Sequence, residues 1–346
     1  MTEVKRINLA LQGGGAHGAF SWGVLDRLLE EDDLEIASIS GTSAGALNGA
    51  ALKAGLLHGG REGARENLDW LWTQAGALPQ IAFDGWFSAY LPTPGMVSNL
   101  LELSPYFAIA NASSRMVSPY AYGPLYDNPL RRIVERFHYD KVCAETGPRF
   151  FVCATNVRSG KIRVFEGAEI HSEAIMASAC LPTLFQAPEF IDPKTGKVEA
   201  FWDGGYTGNP ALFPMFAPDL PDDVVIVNIN PLERNEIPRT PQDIHNRINE
   251  ISFNSSLLRE LRAIQFVRDL IEEGKVTPGM MKHVKVHMIA DDDLMNELSV
   301  ATKMVPTAYI LDTLKTAGRR AAAAFLTDHK DKIGIEGSVD LKTMFG

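Results

Sequence analysis

The chain alternates between short, wholly apolar runs and longer stretches whose apolar residues fall three and four apart. Arg6–Gln12 (RINLALQ) reads as a buried strand, and Gly13–Gly15 break it. His17–Glu31 follows with Phe20, Val24, Leu25, Leu28 and Leu29 at helical spacing. Glu35–Ser40 (EIASIS) is a second short strand. After a turn at Gly41–Gly45, the small-residue run Ala46–Leu57 predicts a helix. Strand, helix, strand, helix in this order implies a largely parallel α/β sheet. Further on, Arg149–Val157, Lys161–Gly167, Asp223–Pro231 and His283–Ala290 read as strands. Thr240–Pro241, with Asp243 in the first turn, signals a helix running toward Glu273, with a break near Ser252–Ser256. Ala308–Leu326 predicts a late amphipathic helix, and the polar tail beyond it reads as loose.

Residues 70–130 depart from this rhythm. They carry four charged side chains (Asp84, Glu102, Arg115 and Asp127) but eleven of the chain's 30 aromatic residues. Such a composition suits a buried layer, and also an apolar surface that meets acyl chains. Trp86, Phe87 and Tyr90, close to Pro92 and Pro94, are the expected exposed members.

Charge then narrows the classes of partner. The 346 residues carry a formal net charge of −10. That charge repels phosphate backbones, so no nucleic-acid partner is expected, and adsorption to anionic lipid by charge alone is disfavoured. Cys143, Cys153 and Cys180 form no CxxC pair, which suits a reducing compartment. The N-terminus lacks the apolar core of a signal peptide, and no run of about 18 apolar residues occurs, so a cytoplasmic protein without a membrane span is expected.

Two glycine motifs frame the first strands. Gly41–Gly45 (GTSAG) fits G-x-S-x-G between a strand and a helix, the setting of a nucleophile elbow that exposes Ser43 at a sharp corner. A helix N-terminus beside it favours developing negative charge, with the Ala44 N–H as a donor. Gly13–Gly18 (GGGAHG) matches the dinucleotide fingerprint, but the second strand ends in the serine turn rather than in an acidic residue. Consecutive glycines also expose backbone N–H groups, so an oxyanion loop of Gly13, Gly14 and Gly15 is the better reading. None of the eight histidines sits in a distinctive motif. Asp203, between an apolar pair and Gly204–Gly205, is a carboxylate that local N–H groups could orient, or an ordinary Asp-Gly turn. No His/Cys/Asp cluster has metal-ligand spacing, and no cofactor is expected.

Taken together, GGGAHG, GTSAG and Asp203–Gly205 (DGG), in this order, resemble the patatin-like phospholipase family of bacterial type. Ala177–Pro188 (ASACLPTLFQAP) and the Asn209–Pro210 pair after the aspartate are similar to further family blocks. The resemblance covers roughly residues 5–232. It implies a three-layer α/β/α fold, FabD/lysophospholipase-like, with a mostly parallel central sheet. It also implies a dyad of Ser43 and Asp203 without histidine or metal, an oxyanion loop of Gly13–Gly15, and Gly18, Gly41, Gly45, Gly204 and Gly205 as supporting positions. Where many members carry Arg or Lys, this chain has His17. The domain expectation is a catalytic core at 1–232 with the aromatic insertion at 70–130, packed C-terminal elements at 233–328, and a loose tail at 329–346. The implied reaction is hydrolysis of lipid esters of the phospholipase A or lysophospholipase type, with transient peripheral membrane contact and an undefined oligomeric state. An acyltransferase or thioesterase sharing the acyl-enzyme, a nucleotide-binding oxidoreductase and a non-catalytic lipid-binding module are the alternatives.

Overall fold

Strands whose residues alternate between two apolar environments need cover on both faces, and that requirement shapes this protein. In strand β1 (Lys5–Leu11), Ile7, Leu9 and Leu11 join one core while Ala10 joins another. Strand β7 (Asp223–Val227) divides likewise, Val225 and Val227 against Val224 and Ile226. In this computed structural model, residues 4–77, 93–104, 117–234, 237–277 and 279–345 are described. Trp86, Phe87 and Tyr90 lie outside them.

The sheet is built around β1, which pairs in parallel with β2 (Leu34–Thr42) and with β7. Strand β3 (Arg149–Asn156) adds in parallel to β2, and β8 (Lys285–Ile289) in parallel to β7. Strand β4 (Ile162–Glu166) runs antiparallel along β3. The hairpin of β5 (Glu189–Asp192) and β6 (Lys197–Asp203) completes the set through an antiparallel β3–β6 pairing. One face is covered by α1 (Gly18–Leu28), α2 (Ala44–Gly76) and α7 (Ala308–His329); the other by α5 (Pro241–Glu272), whose Leu257, Leu261 and Ile264 are buried. Helices α3 (Pro94–Leu103), α4 (Ser172–Ser178) and α6 (Val300–Met304) bury residues in the core of the first face, and Leu341 of α8 (Leu341–Phe345) joins that of the second. The fold is thus the expected three-layer α/β/α arrangement around a mostly parallel sheet. Among the described residues no helix is long and apolar enough to cross a membrane.

Four features differ from the sequence reading. Helix α2 starts at Ala44, directly after the serine, and extends to Gly76 across a break at Gly59–Gly60. Helix α5 passes unbroken through Ser252–Ser256, because tertiary partners take up the polar side chains that should interrupt it. Asn254 Nδ2 donates to the Pro231 carbonyl at 3.0 Å, and Ser256 Oγ accepts from the Asn209 N–H at 3.1 Å. The β5–β6 hairpin left little trace in the pattern, since Ile191 and Val198 are exposed. The tail expected to be loose is packed: Ile333 and Leu341 are buried, and Asp340 Oδ1 accepts from the Thr343 N–H of α8.

Candidate active site

The pairing pattern of β3 brings two distant residues together. Strand β4 takes one edge of β3 along Phe151–Thr155, so β2 and β6 share the other. Running toward one another along that edge, they stop at neighbouring positions. Thr42 is the last partner of β2, opposite Cys153, and Asp203 is the last residue of β6, opposite Ala154. Ser43 and Asp203, 160 residues apart in the chain, therefore leave the sheet at the same place.

The corner at Ser43 is sharp. Its φ of 54° and ψ of −121° make it the one non-glycine residue with positive φ among the described residues. Such a conformation costs about 1–3 kcal/mol and persists only where surroundings impose it. Here they do: Thr42 Oγ1 donates to the Gly208 carbonyl at 2.7 Å, and the Ser43 N–H donates to Ser178 Oγ at 2.9 Å. A side chain at Gly45 would run into the Leu11 carbonyl, and one at Gly41 into the backbone of Gly45, so the turn closes only with glycine on both flanks.

The glycine loop lies against this corner. A Cβ at Gly13 would stand 2.7 Å from the Ser43 Cβ, and one at Gly18 would stand 2.6 Å from the Ala44 Cβ. One expected oxyanion donor changes role: the Gly13 N–H donates to Asn209 Oδ1 at 2.7 Å and is not available to a substrate oxygen. No acceptor among the described residues takes the N–H groups of Gly14, Gly15 or Ala44. Side chains hold the loop in place. Asn230 Nδ2 donates to the Gly13 carbonyl at 2.8 Å, while Gln12 Oε1 accepts from the N–H groups of Ile229 and Asn230.

Asp203 is almost completely buried. Its backbone N–H donates to the Cys180 carbonyl at 2.7 Å and its carbonyl accepts from Thr155 Oγ1 at 2.8 Å. Its Oδ1 accepts from the Gly205 N–H at 2.7 Å. Loss of water around the carboxylate pushes its pKa up to about 7, against the opposing pull of the Gly205 N–H and the Ser43 hydroxyl. A buried base poised near neutrality beside a hydroxyl at a strained corner is an arrangement suited to proton transfer.

A model of the patatin-like phospholipase family matches residues 9–215. The chain belongs to this family. This patatin-like protein is accordingly a lipid acyl hydrolase. Among solved structures it is similar to VipD from Legionella pneumophila, at 13% identity and a TM-score of 0.42, over 95% of this chain and 67% of that one. It is also similar to the heterodimeric ExoU–SpcU complex from the type III secretion system of Pseudomonas aeruginosa, at 15% identity and a TM-score of 0.29, over 96% of this chain and 61% of that one. No curated protein matches the sequence.

Two of the described histidines are buried in this patatin-like fold, and neither is hydrogen-bonded to Ser43 or Asp203. His17 is buried, with Nε2 2.8 Å from Thr302 Oγ1. That hydroxyl donates to the Ser299 carbonyl, so the imidazole must donate to it through Nε2–H. Burial, then the charges of Lys303 and Arg234, hold the His17 pKa well below its ordinary value, so the ring is neutral at pH 7. His287 and Asp223 form a buried pair at 3.0 Å, but Asp223 opens β7 at the end of the parallel sheet opposite the serine turn. Among the described residues, no group of three His, Cys, Asp or Glu side chains is placed to hold a metal ion.

Several residues that hold the site were not singled out from the sequence. Ser178 lies within the Ala177–Pro188 block and fixes the serine backbone. Gln12 and Asn230 fix the glycine loop, and no local motif marks them. Asn209 was noted only as a neighbour of the aspartate, yet it reaches back across 196 residues to Gly13.

Proposed function

We propose that this protein is a phospholipase A or lysophospholipase that works through a Ser43–Asp203 dyad. The observation that carries this reading is the buried Asp203 carboxylate beside the strained Ser43, with its pKa raised to about 7. A carboxylate with an ordinary pKa is too weak a base for a serine hydroxyl, and burial reduces that mismatch. Ser43 Oγ attacks the ester carbonyl while its proton passes to Asp203. The carbonyl oxygen becomes an oxyanion, for which the N–H groups of Gly14, Gly15 and Ala44 are the donors. As the tetrahedral adduct collapses, the bond to the leaving alcohol breaks and Asp203 returns the proton to that oxygen. Water, deprotonated by Asp203, then attacks the acyl carbonyl, the bond to Ser43 Oγ breaks, and Asp203 returns the proton to that oxygen as the fatty acid leaves.

Contact with lipid is read as peripheral and driven by apolar surface rather than charge. Ile244, Ile248 and Ile251 form an exposed stripe along α5, and Phe253 of the same helix packs edge-on against Tyr206, three residues from Asp203. The stripe therefore lies on an element that touches the site. Catalytic core and C-terminal elements are read as one working unit, since β8 belongs to the central sheet and α7 packs on α1.

The test is product analysis by mass spectrometry on a mixed lipid extract, comparing wild type with Ser43→Ala. Free fatty acid and lysolipid or glycerophosphodiester should appear only with wild type. Transfer of acyl groups to an added alcohol or thiol in preference to water would instead make the protein an acyltransferase.

A further inference from the structure

The region beyond the family match places a cation beside the glycine loop. Helix α6 lies against that loop: a side chain at Gly15, where φ is +59°, would strike the Lys303 carbonyl. From the same residue, Lys303 Nζ reaches Asn230 Oδ1 at 3.0 Å. Asn230 is the residue that fixes the Gly13 carbonyl, and its Oδ1 lies 3.6 Å from where a Cβ of Gly14 would be. The contacts thus run without a gap from Ser43 through Gly13 and Asn230 to the Lys303 ammonium.

That ammonium lacks a full counter-ion. The nearest acid among the described residues is Glu250, 4.0 Å away and beyond hydrogen-bond reach. Glu250 is already held by Arg234, at 2.7 and 2.9 Å, and by Arg247, at 3.3 Å. Three cations therefore share one carboxylate, in a chain whose net charge is −10. The cost of burial pulls the Lys303 pKa down, and Glu250 offsets that only in part. The Lys303 side chain keeps 18% of its exposure. Neutral His17, on the loop itself, supplies no charge.

We propose that Lys303 is a specificity-determining residue that binds the phosphate of a phosphodiester head group on the lipid whose ester lies at Ser43. This rests on the lipid-ester reading of the site given above. An ammonium serves as a point charge for phosphate, with donors left over after Asn230 takes one. A neutral glyceride gains nothing from it, so Lys303 should separate phospholipids from glycerides.

The experiment compares a lysophosphatidylcholine with the monoacylglycerol of the same short acyl chain, both below their micelle concentrations, on wild type, Lys303→Met, Lys303→Gln and Lys303→Arg. The expected result is that Lys303→Met lowers the ratio of the two kcat/KM values by roughly ten-fold or more, chiefly through KM on the lysophospholipid. Lys303→Arg should restore most of that ratio. The Lys303 carbonyl, which packs on Gly15, is present in every variant, and Lys303→Gln, whose amide N–H can still donate to Asn230, carries the test if the Met variant, which loses that bond, disturbs the loop or fails to fold. An unchanged ratio overturns the proposal, as does an equal loss on both substrates, which would make Lys303 a support for the loop. Inorganic phosphate, added alone, distinguishes a second source. If it inhibits both substrates equally in wild type, loses that effect in Lys303→Met and leaves the ratio unchanged, the site holds free phosphate and not a head group. Hydrolysis of neither ester by wild type would instead overturn the reading of the site itself.

Discussion

Replacing Asp203 by Asn should remove most turnover and, above about pH 4, make the protein more stable. The carboxylate is buried with a pKa raised from 3.8 to about 7. A raised folded-state pKa means that ionisation costs the folded protein free energy that the unfolded chain does not spend. Converted at 1.36 kcal/mol per pKa step, that cost is about 4 kcal/mol at pH 8. It diminishes as pH falls through 7 and is gone below about pH 4, where the group is protonated in both states. Asn keeps an acceptor for the Gly205 N–H and carries no charge, so the variant escapes most of the cost. Thermal unfolding followed in parallel at pH 8 and pH 3.5 should show the variant several degrees above wild type at pH 8 and level with it at pH 3.5. Turnover should fall by about 10²–10⁴-fold, the usual loss for a general base. In wild type, kcat/KM should drop about ten-fold for each pH unit below 7, as the base protonates. A variant less stable than wild type at pH 8, or a stability difference independent of pH, would refute the claim that burial strains this carboxylate.

Other substitutions probe the surroundings. Thr302→Val strands the buried Nε2–H of His17 and should cost about 1–3 kcal/mol, seen as a lower Tm. Glu260, whose carboxylate accepts from the N–H groups of Leu212 and Phe213, is raised by burial to about 7; Glu260→Gln should repeat the stabilisation at pH 8 while turnover on a soluble ester stays close to wild type. Ile248→Glu with Ile251→Glu, both on the exposed stripe of α5, should reduce hydrolysis of vesicle lipid at least several-fold more than hydrolysis of a soluble short-chain ester; equal losses would place the stripe outside the lipid contact.

What could be read from the sequence was whatever is local. The strand–glycine–helix order around Gly13 and Ser43 is a short-range pattern, so it gave the parallel sheet and the serine corner together. Asp203 stood out by its glycines, but the reason it meets Ser43, two strands converging on one edge of β3, lies in pairings that no local pattern encodes. The Gly13 N–H looked like a free donor because its acceptor, Asn209, is 196 residues away. The polar run Ser252–Ser256 looked like a helix break for the same reason: its partners are Asn209 and Pro231. Lys303 carried no signal at all, since a single lysine between Val300–Ala301 and Met304–Val305 belongs to no motif until α6 sets it beside the glycine loop.

The most direct test of the dyad is the site and rate of fluorophosphonate labelling, mapped by peptide mass spectrometry across pH 5–9. The account predicts a single fast adduct, on Ser43, whose rate rises through pH 7 and is lost in Asp203→Asn. An adduct on another residue, or labelling of Ser43 in Asp203→Asn at the wild-type rate, would contradict it.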